Sequence, residues 1–322
     1  MYYDIYTEHF WYVHLLVRNC TLINVHINVG AAYFSVHLQN VVYTQLEKLD
    51  LNVFSVKPFK FISDRYPAGY KPKLRIWFIS RNYIIFNKFV IRHDIKYPIH
   101  NIIHAYVHNV FIALVNSYFH QIGNVLIVQA IEESQKSNGL FLSILIEQCH
   151  FSALVIKSYK VQKGVLQITI PSFTNPIMLG KIKIKNCSFH DVTLSSSGAA
   201  IYIHMDQPNP VYIQDHISVT IQETMFENCI AHKEGGAIYL LGILTVELNK
   251  VSFKLSKTEL SQTYATFIYS EASIRMTKVH MSARFTGSFV EVPQLLLASK
   301  VSAEGADWLY LSYHLYTSPS PR

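Results

Sequence analysis

The stretch Ile182-Lys-Ile-Lys-Asn-Cys-Ser-Phe189 decides the fold of this 322-residue chain, because its pattern returns along most of the sequence. The pattern is apolar, any, apolar, any, any, small or apolar, any, bulky apolar. Clear further copies are Ile144-Leu-Ile-Glu-Gln-Cys-His-Phe151 and Val246-Glu-Leu-Asn-Lys-Val-Ser-Phe253. A pattern that recurs in register is typical of repeat architectures, in which each unit buries its face against its neighbours.

The sequence can be aligned as nine copies of this pattern. They end at Leu22, Val56, Ile91, Phe119, Phe151, Phe189, Phe226, Phe253 and Met281. Residues 182–203 and 219–240 also align without a gap, which matches Gly198 with Gly235 and Tyr202 with Tyr239 outside the pattern. Gly30-Ala-Ala-Tyr-Phe34 repeats this segment near the N-terminus. Each unit is therefore predicted to hold a strand, a turn of small residues and a second strand.

The two consecutive free positions inside the pattern predict a corner. Alternating apolar and polar residues indicate a strand with one buried face, and the extra free position breaks that alternation. Asn19, Asn116, Gln148 and Asn186 occupy this position in four copies, and asparagine tolerates the left-handed backbone that such a corner needs. The Gly-Gly-Ala and Gly-Ala-Ala segments predict a second tight corner. No stretch has sustained helical spacing with a cap, so low helix content is expected.

Stacked units of this kind predict an all-β fold, a right-handed parallel β-helix (solenoid) of roughly nine coils with long loops between coils. Strands about 4.8 Å apart would build a rod roughly 40 Å long. The predicted divisions are an irregular or capping segment at 1–14, the β-helix at 15–290, an irregular segment at 291–314 and a non-native tail at 315–322. A β-helix of this length is one continuous domain, so the chain length requires no second domain.

The segment Phe226-Glu-Asn-Cys, followed by Gly235-Gly-Ala-Ile-Tyr, resembles known repeats. The repeat pattern resembles that of right-handed parallel β-helix repeat proteins. This segment is also locally similar to polymorphic outer-membrane and adhesin-type β-helix repeats. The latter favour Phe-x-x-Asn together with Gly-Gly-Ala-Ile. Here Asn228 falls one position early, and Cys229 stands where the family has asparagine. The resemblance implies the β-helix architecture.

The charge and the basic residues point away from a nucleic-acid-binding protein. The net charge of +7 is mild. Six basic residues gather in one loop, together with Tyr66 and Tyr70: Lys57, Lys60, Arg65, Lys71, Lys73 and Arg75. A nucleic-acid site needs a basic stripe with stacking aromatics and usually a recognisable motif, and no such motif accompanies this loop. A solvated insertion is the favoured interpretation, and no nucleic-acid partner is predicted.

The cysteines and the glycosylation motifs give information on whether the chain is secreted. Cys20, Cys149 and Cys187 hold the same inward position of the repeat, as expected for small buried apolar residues. Cys149 and Cys187 lie in successive units, where the strand spacing is only marginally suited to a disulfide. Asn19-Cys-Thr21 and Asn186-Cys-Ser188 are glycosylation sequons at equivalent corners, and they slightly favour secretion.

The ends of the chain leave its location open between two interpretations. No apolar run is long enough to span a membrane, and the first 20 residues do not form a signal peptide. This fits either a cytosolic protein or a sequence that lacks its natural start. Tyr316-Thr-Ser-Pro-Ser-Pro-Arg322 departs from the repeat style and looks like an adapter-derived ending. The favoured prediction is an extracellular or cell-surface location, as part of a longer chain.

Candidate chemistry is sparse. Polysaccharide hydrolysis by inversion needs two carboxylates, and lyases need a basic residue and usually calcium held by carboxylates. Asp191, Glu223 and Glu227 are the only local acidic group worth naming as catalytic candidates. His120 and His190 hold equivalent positions two units apart, roughly 10 Å, so they cannot both reach one ion. No metal site and no cofactor are predicted.

The sequence favours a non-catalytic structural or adhesive module that binds glycan or protein through its inter-coil loops, because loops on a rigid scaffold commonly carry binding residues. Tyr66, Tyr70 and Tyr212 are the candidate loop residues for stacking on sugar rings, and Asn19 and Asn186 are the candidate glycosylation sites. The alternative is a carbohydrate-active enzyme, a polysaccharide lyase or hydrolase, on the same fold.

Overall fold

The computed structural model describes a chain built from β-strands. The described residues are 2–6, 12–23, 25–31, 33–44, 54–58, 82–91, 99–107, 109–120, 122–130, 140–152, 163–170, 178–194, 197–206, 217–231, 233, 235–242, 244–255, 267–270, 272–283, 290–291, 295–304 and 311–312. All the regular elements within them are strands, and every recorded strand pairing is parallel. The prediction of an all-β protein with stacked parallel strands is confirmed.

The strands, in chain order, have the following bounds: β1 Tyr2–Tyr6, β2 Tyr12–Ile23, β3 His26–Ala31, β4 Tyr33–Thr44, β5 Phe54–Pro58, β6 Asn82–Ile91, β7 Ile99–Val107, β8 Asn109–Val115, β9 Tyr118–His120, β10 Ile122–Ala130, β11 Leu140–Glu147, β12 His150–Ser152, β13 Leu166–Ile170, β14 Met178–Lys185, β15 Ser188–His190, β16 Thr193–Leu194, β17 Ile201–Met205, β18 Ile217–Gln222, β19 Met225–Glu227, β20 Ile230–Ala231, β21 Ile238–Leu241, β22 Leu244–Asn249, β23 Ser252–Leu255, β24 Ile268–Ser270, β25 Ser273–Thr277, β26 His280–Ala283, β27 Val290–Glu291, β28 Leu295–Ser299, β29 Ser302–Glu304 and β30 Leu311–Ser312.

Two long parallel sheets dominate the structure. The first sheet has 17 strands. In it β2, β4 and β6 run through the corner, and from β8 onward each long strand, such as β11 or β14, is followed after the corner by a short strand, such as β12 or β15. The second sheet has 11 strands, in the order β1-β3-β5-β7-β10-β13-β17-β21-β24-β27-β30. β16 and β20 form a third sheet of 2 strands. The chain passes from the first sheet to the second and back in each repeat.

The core lies on the inner faces of the strands, where equivalent residues of successive repeats stack. Ile144 pairs in register with Ile182, which pairs with Val219, which pairs with Val246, and all four are buried. After the corner, a buried ladder of phenylalanines runs through five repeats, Phe119, Phe151, Phe189, Phe226 and Phe253. Their successive ring centroids lie 5.2, 4.5, 5.0 and 5.0 Å apart. Each ring therefore fills the space between its two neighbours.

A column of left-handed residues forms the corner of the 17-stranded sheet. Asn19, Asn116, Gln148 and Asn186 have φ of 51°, 50°, 54° and 51°, as the sequence predicts for these positions. The same conformation occurs at six further positions in this column of the described chain, Asn40, Lys88, Glu223, Lys250, Lys278 and Lys300. From Asn116 to Lys278, the corner N–H of each repeat donates to a carbonyl of the next, as from Gln148 to Lys185 at 3.0 Å. These bonds continue the parallel ladder through the corner.

Glycines form a second corner, as predicted. Gly198 and Gly235 have φ of 63° and 57° just before β17 and β21. A Cβ on Gly198 would lie 2.5 Å from the carbonyl oxygen of Ile201, which no side chain tolerates. The proposed equivalence with Gly30 is wrong, because Gly30 lies near the end of β3 and pairs with Tyr6.

The second copy of the pattern was also placed wrongly. Val56 lies in β5, in the 11-stranded sheet, and pairs with Val29 and Ala105. The copy that occupies the corner column is Val36-His-Leu-Gln-Asn-Val-Val-Tyr43, which pairs with β2. Strands of both sheets alternate apolar and polar residues, so alternation alone does not tell one sheet from the other.

Strands also lie in the two terminal stretches for which the sequence predicts irregular structure. β1 precedes residue 14 and pairs with β3, while β28, β29 and β30 continue both sheets after residue 291. The predicted tail at 315–322 lies outside the described residues. Where the structure describes the chain, it contains no helix that could cross a membrane.

Candidate functional site

The three predicted acidic residues lie around the short strand β19 and its neighbour β15. Glu223 occupies the left-handed corner before β19, and Glu227 ends that strand. Asp191 follows β15 in the adjacent repeat, with φ of 55°, and its N–H donates to the carbonyl of Glu227 at 2.9 Å. The structure thus brings Asp191 close to Glu227, whereas Glu223 lies at the opposite end of β19.

Lysines of the next repeat neutralise two of these acids. Lys250 Nζ lies 2.7 Å from Glu223 Oε1, and Lys254 Nζ lies 2.8 Å from Glu227 Oε1. The hydrogen bond from Lys250 lowers the pKa of Glu223, and the hydrogen bond from Lys254 lowers the pKa of Glu227. Both carboxylates are therefore held in the ionised form. A general acid at neutral pH needs the opposite shift.

Asp191 has a neutral partner. Asn228 occupies the equivalent corner of the next repeat, with φ of 52°, and its Nδ2 donates to Asp191 Oδ1 at 3.0 Å. This Asp–Asn contact links the corners of two repeats in the same way as Asn40 and Asn19, whose side chains are 2.9 Å apart. A role in holding the corners explains these side chains without chemistry.

His120, His150 and His190 lie on the outer face of the short strands β9, β12 and β15. His150 Nδ1 is 2.5 Å from Ser188 Oγ, and His120 Nδ1 is 2.7 Å from Ser152 Oγ. The His150 ring lies 5.0 Å from that of His190, which contacts Glu227 at 3.1 Å. Burial, and then the charge of His190, lower the pKa of His150. The described residues include no group of three or more potential ligands placed to hold a metal ion.

A chain of four polar side chains on the outer face of the 11-stranded sheet was not anticipated. Lys163 Nζ donates to the Tyr202 hydroxyl at 3.0 Å and lies 4.7 Å from the centre of its ring. The hydroxyl is 3.1 Å from His204 Nδ1, and His204 Nε2 is 3.0 Å from Asp206 Oδ1. Part of this signal was present in the sequence, because residues 202 and 204 alternate and so share one face of β17, which Asp206 follows directly.

A second feature that was missed is the outer face of β14, which carries Lys181, Lys183 and Lys185 at alternate positions between the buried residues Ile182 and Ile184. Lys185 Nζ is 3.8 Å from Glu147 Oε1 of the preceding repeat. Neither Lys181 nor Lys183 forms an ion pair with another described residue. The alternation Lys-Ile-Lys-Ile-Lys was the available signal.

All four cysteines are free thiols. Cys149 and Cys187 are buried at the same position of adjacent repeats, and each Sγ donates to backbone carbonyls, as from Cys149 to Leu114 at 3.3 Å. Burial raises the pKa of the Cys229 thiol. The thiols thus serve as small core residues, as the sequence suggests.

The remaining predicted residues divide into two groups. Asn19 and Asn186 are exposed at the corner column, and Asn19 Oδ1 accepts a hydrogen bond from Asn40 Nδ2. Tyr66, Tyr70 and Tyr212 lie outside the described residues, as does the basic loop apart from Lys57. Comparison of the chain with protein-family models, with curated proteins and with solved structures finds no match.

Proposed function

We propose that this chain is a non-catalytic structural or adhesive module, a right-handed parallel β-helix of about nine or ten coils from a surface or secreted protein. Its outer surface holds glycan-binding or protein-binding residues in fixed positions. Tyr66, Tyr70 and Tyr212, outside the described residues, stay the candidate contacts from the inter-coil loops. The observation that carries this proposal is the stack of equivalent residues from β2 to β29, with a left-handed corner in each repeat. The register shifts between β25 and β28, at Ile274 and Arg275.

Such a stack favours a scaffold because its rigidity is independent of any ligand. The inner face is buried from β4 to β26 and partly buried at β2, and backbone hydrogen bonds continue through the corners. Stability in this kind of array comes from contacts between neighbouring repeats, so outer side chains can change without loss of the fold. Residues on such a frame keep their spacing, which suits the recognition of extended ligands.

The state of the acidic residues supports the absence of catalysis. Glu223 and Glu227 are both ion-paired, and both have a lowered pKa. Inverting and retaining glycoside hydrolases both need a carboxylic acid that keeps its proton until it donates it to the leaving oxygen. Carboxylates that are paired with lysines supply no such acid.

The test is an assay for turnover beside an assay for binding. Purified protein would be incubated with neutral and acidic polysaccharides, and reducing ends and the absorbance of unsaturated products would be measured. Binding to the same glycans would be measured on an array. We expect binding without product. Turnover that disappears in Glu223→Gln or Asp191→Asn, and persists in the exposed control Glu247→Gln, would overturn the proposal.

A second candidate, a carbohydrate-active enzyme, is favoured by the chain Lys163–Tyr202–His204–Asp206. A carboxylate that holds a histidine beside a hydroxyl is an arrangement used for proton transfer. In a β-elimination, one group of this set would take the proton from the carbon next to a uronate carboxylate, and the glycosidic carbon–oxygen bond would break as the double bond forms. If the unsaturated product is lost in Tyr202→Phe but still formed by Glu223→Gln, this second candidate function would replace the first.

A further inference from the structure

We propose that the outer face of β14, together with the adjoining face of β18, binds an extended acidic polysaccharide. This inference rests on the proposed binding function and gives it a ligand class and a place. We call the six residues involved the lysine face: Lys181, Lys183, Lys185, Ser218, Thr220 and Gln222. The site lies on the flat sheet itself, rather than on the loops to which the sequence assigns binding.

The lysine face has a regular geometry. Alternate residues of a strand lie about 6.7 Å apart, so the three lysines span roughly 13 Å along one line. Lys181 pairs in register with Ser218, Lys183 with Thr220, and Lys185 with Gln222. The ammonium groups therefore run beside a parallel line of hydroxyl and amide groups, one strand spacing of about 4.8 Å away.

The charges on this face are incompletely balanced within the protein. On the other side of β14, the register places Ser143 beside Lys181, Leu145 beside Lys183 and Glu147 beside Lys185. Of these three positions only Glu147 carries a counter-charge, and at 3.8 Å from Lys185 Nζ it makes a long contact. Glu223 also interacts electrostatically with Lys185, which leaves Lys181 and Lys183 without an ion pair to another described residue. Three like charges at alternate positions of one strand repel each other, and a ligand with regularly spaced anionic groups would relieve that repulsion.

The neighbours of the lysines favour a polysaccharide over a nucleic acid. Single-stranded nucleic acids are held by aromatic rings that stack on bases beside a basic groove. The six positions that pair with the three lysines carry no aromatic side chain. Serine, threonine and glutamine side chains suit the many hydroxyl groups of a sugar chain, because each can donate and accept hydrogen bonds. The lysines would contact its carboxylate or sulfate groups.

The experiment is a titration of the intact chain with oligosaccharides of defined charge. The probes are a heparin octasaccharide, a polygalacturonate octasaccharide, an uncharged maltooctaose and a single-stranded DNA of matching charge. The variant is Lys181→Gln/Lys183→Gln. The matched control is Lys88→Gln/Lys300→Gln, which removes the same charge from two exposed corners several repeats away on either side.

We expect at least one acidic octasaccharide to bind, with an affinity reduced ten-fold or more in Lys181→Gln/Lys183→Gln and less than two-fold in the control. The dependence of log affinity on log salt should become shallower by about 1 to 2, since two contacts that release counterions are lost. Circular dichroism and urea denaturation should show both variants folded, because the substituted lysines are outside the core.

Three results would overturn the inference. In the first, neither acidic octasaccharide binds. In the second, the two double variants lose the same amount of affinity. In the third, the DNA binds as tightly as the better saccharide, and Lys181→Gln/Lys183→Gln weakens both to the same extent. The last result would assign the face to polyanions in general. Turnover of a polysaccharide by wild-type protein would instead contradict the proposed non-catalytic function, and would leave the location of the binding face to be decided by the titration.

Discussion

The rings of Phe151 and Phe189 stack face to face in adjacent repeats, with centroids 4.5 Å apart and planes 9° apart. Both side chains are completely buried. Phe189 also stacks on Phe226 at 5.0 Å, so it fills a closed space between two neighbours. The loss of one ring would leave a cavity that the flanking repeats cannot fill without breaking their own register.

Phe189→Ala is therefore expected to lower the free energy of unfolding by about 3–5 kcal/mol, the usual cost of removing a buried aromatic ring. Urea denaturation followed by circular dichroism would measure it. The control is Phe111→Ala, whose half-buried ring lies on the outer face 6.1 Å from Tyr83. The decrease in the free energy of unfolding of Phe111→Ala should be clearly smaller than that of Phe189→Ala. Equal losses in the two variants would show that the ladder contributes no more than an outer contact.

The corner column makes a second prediction, at Asn186, where φ is 51°. Asn186→Gly should leave stability within about 0.5 kcal/mol, because glycine adopts this backbone without steric cost. Asn186→Val should lose about 1–2 kcal/mol, because a β-branched residue is strained in the left-handed region. Thermal and urea unfolding of both variants would measure the difference.

The matched control is Asn249→Val in the same sheet. Asn249 ends β22 and has no left-handed backbone, so valine there is expected to be neutral or slightly favourable. A valine that is tolerated equally well at 186 and 249 would contradict the role assigned to the corner.

The corners also show how much of the fold the sequence could predict. Asn19, Asn116 and Asn186 identified the corner because asparagine favours left-handed backbone. Glu223, Lys250, Lys278 and Lys300 adopt the same conformation without any such preference. At those positions the register of the stacked strands imposes the left-handed backbone conformation, so the conformational preference of the residue itself does not predict it. The sequence could therefore predict the repeat, but not every place where it turns.

The misplaced second copy has a related cause. The pattern ending at Val56 puts Val53 at the corner, a residue type poorly suited to that backbone, whereas Asn40 fits it. Weighting the corner residue above the apolar positions would have found the correct copy. Of the three candidate acids, Asp191 and Glu227 lie close together, whereas Glu223 lies at the other end of β19. Their lysine and asparagine partners depend on which side chains meet across repeats, which alternation alone does not specify.

The ion pair between Glu227 and Lys254 predicts a pH dependence. The pKa of Glu227 is lowered in the folded protein, chiefly by the hydrogen bond from Lys254. A carboxyl group of this kind contributes stability above its ordinary pKa of 4.5, and the contribution is lost as pH falls through the folded value. Wild type should therefore be slightly more stable than Glu227→Gln at pH 7, and this difference should vanish at low pH.

Because Glu227 is partly exposed, the difference at pH 7 is expected to stay below about 1 kcal/mol. Urea denaturation at a series of pH values would measure it. Glu247→Gln is the matched control, since Glu247 is exposed and forms no ion pair or hydrogen bond with another described side chain. A difference for Glu227→Gln that grows as pH falls would contradict the ion-pair explanation.

The contact between His150 and His190, whose tilted rings have centroids 5.0 Å apart, predicts a second loss of stability on acidification, at higher pH than that of Glu227. Burial lowers the pKa of His150 below its ordinary value of 6.5, and the charge of His190 lowers it further. As pH falls below 6.5, the unfolded chain takes up a proton that the folded protein accepts only at lower pH, so stability should decrease with acidification. Replacing His150 with glutamine removes the titrating group, so the variant should lose less stability than wild type between pH 7.5 and pH 5.

Nuclear magnetic resonance titration of the imidazole protons would test the cause directly. His150 should titrate below 6.5, and His190→Gln should move its midpoint upward, because a neighbouring positive charge has been removed. His280→Gln is the control, since His280 bonds to Ser302 several repeats away and should leave His150 unchanged. A midpoint at or above 6.5 in wild type would show that His150 is solvated. In that case the Tyr118 ring, whose centroid lies 4.7 Å from that of His150, would not shield the imidazole from water.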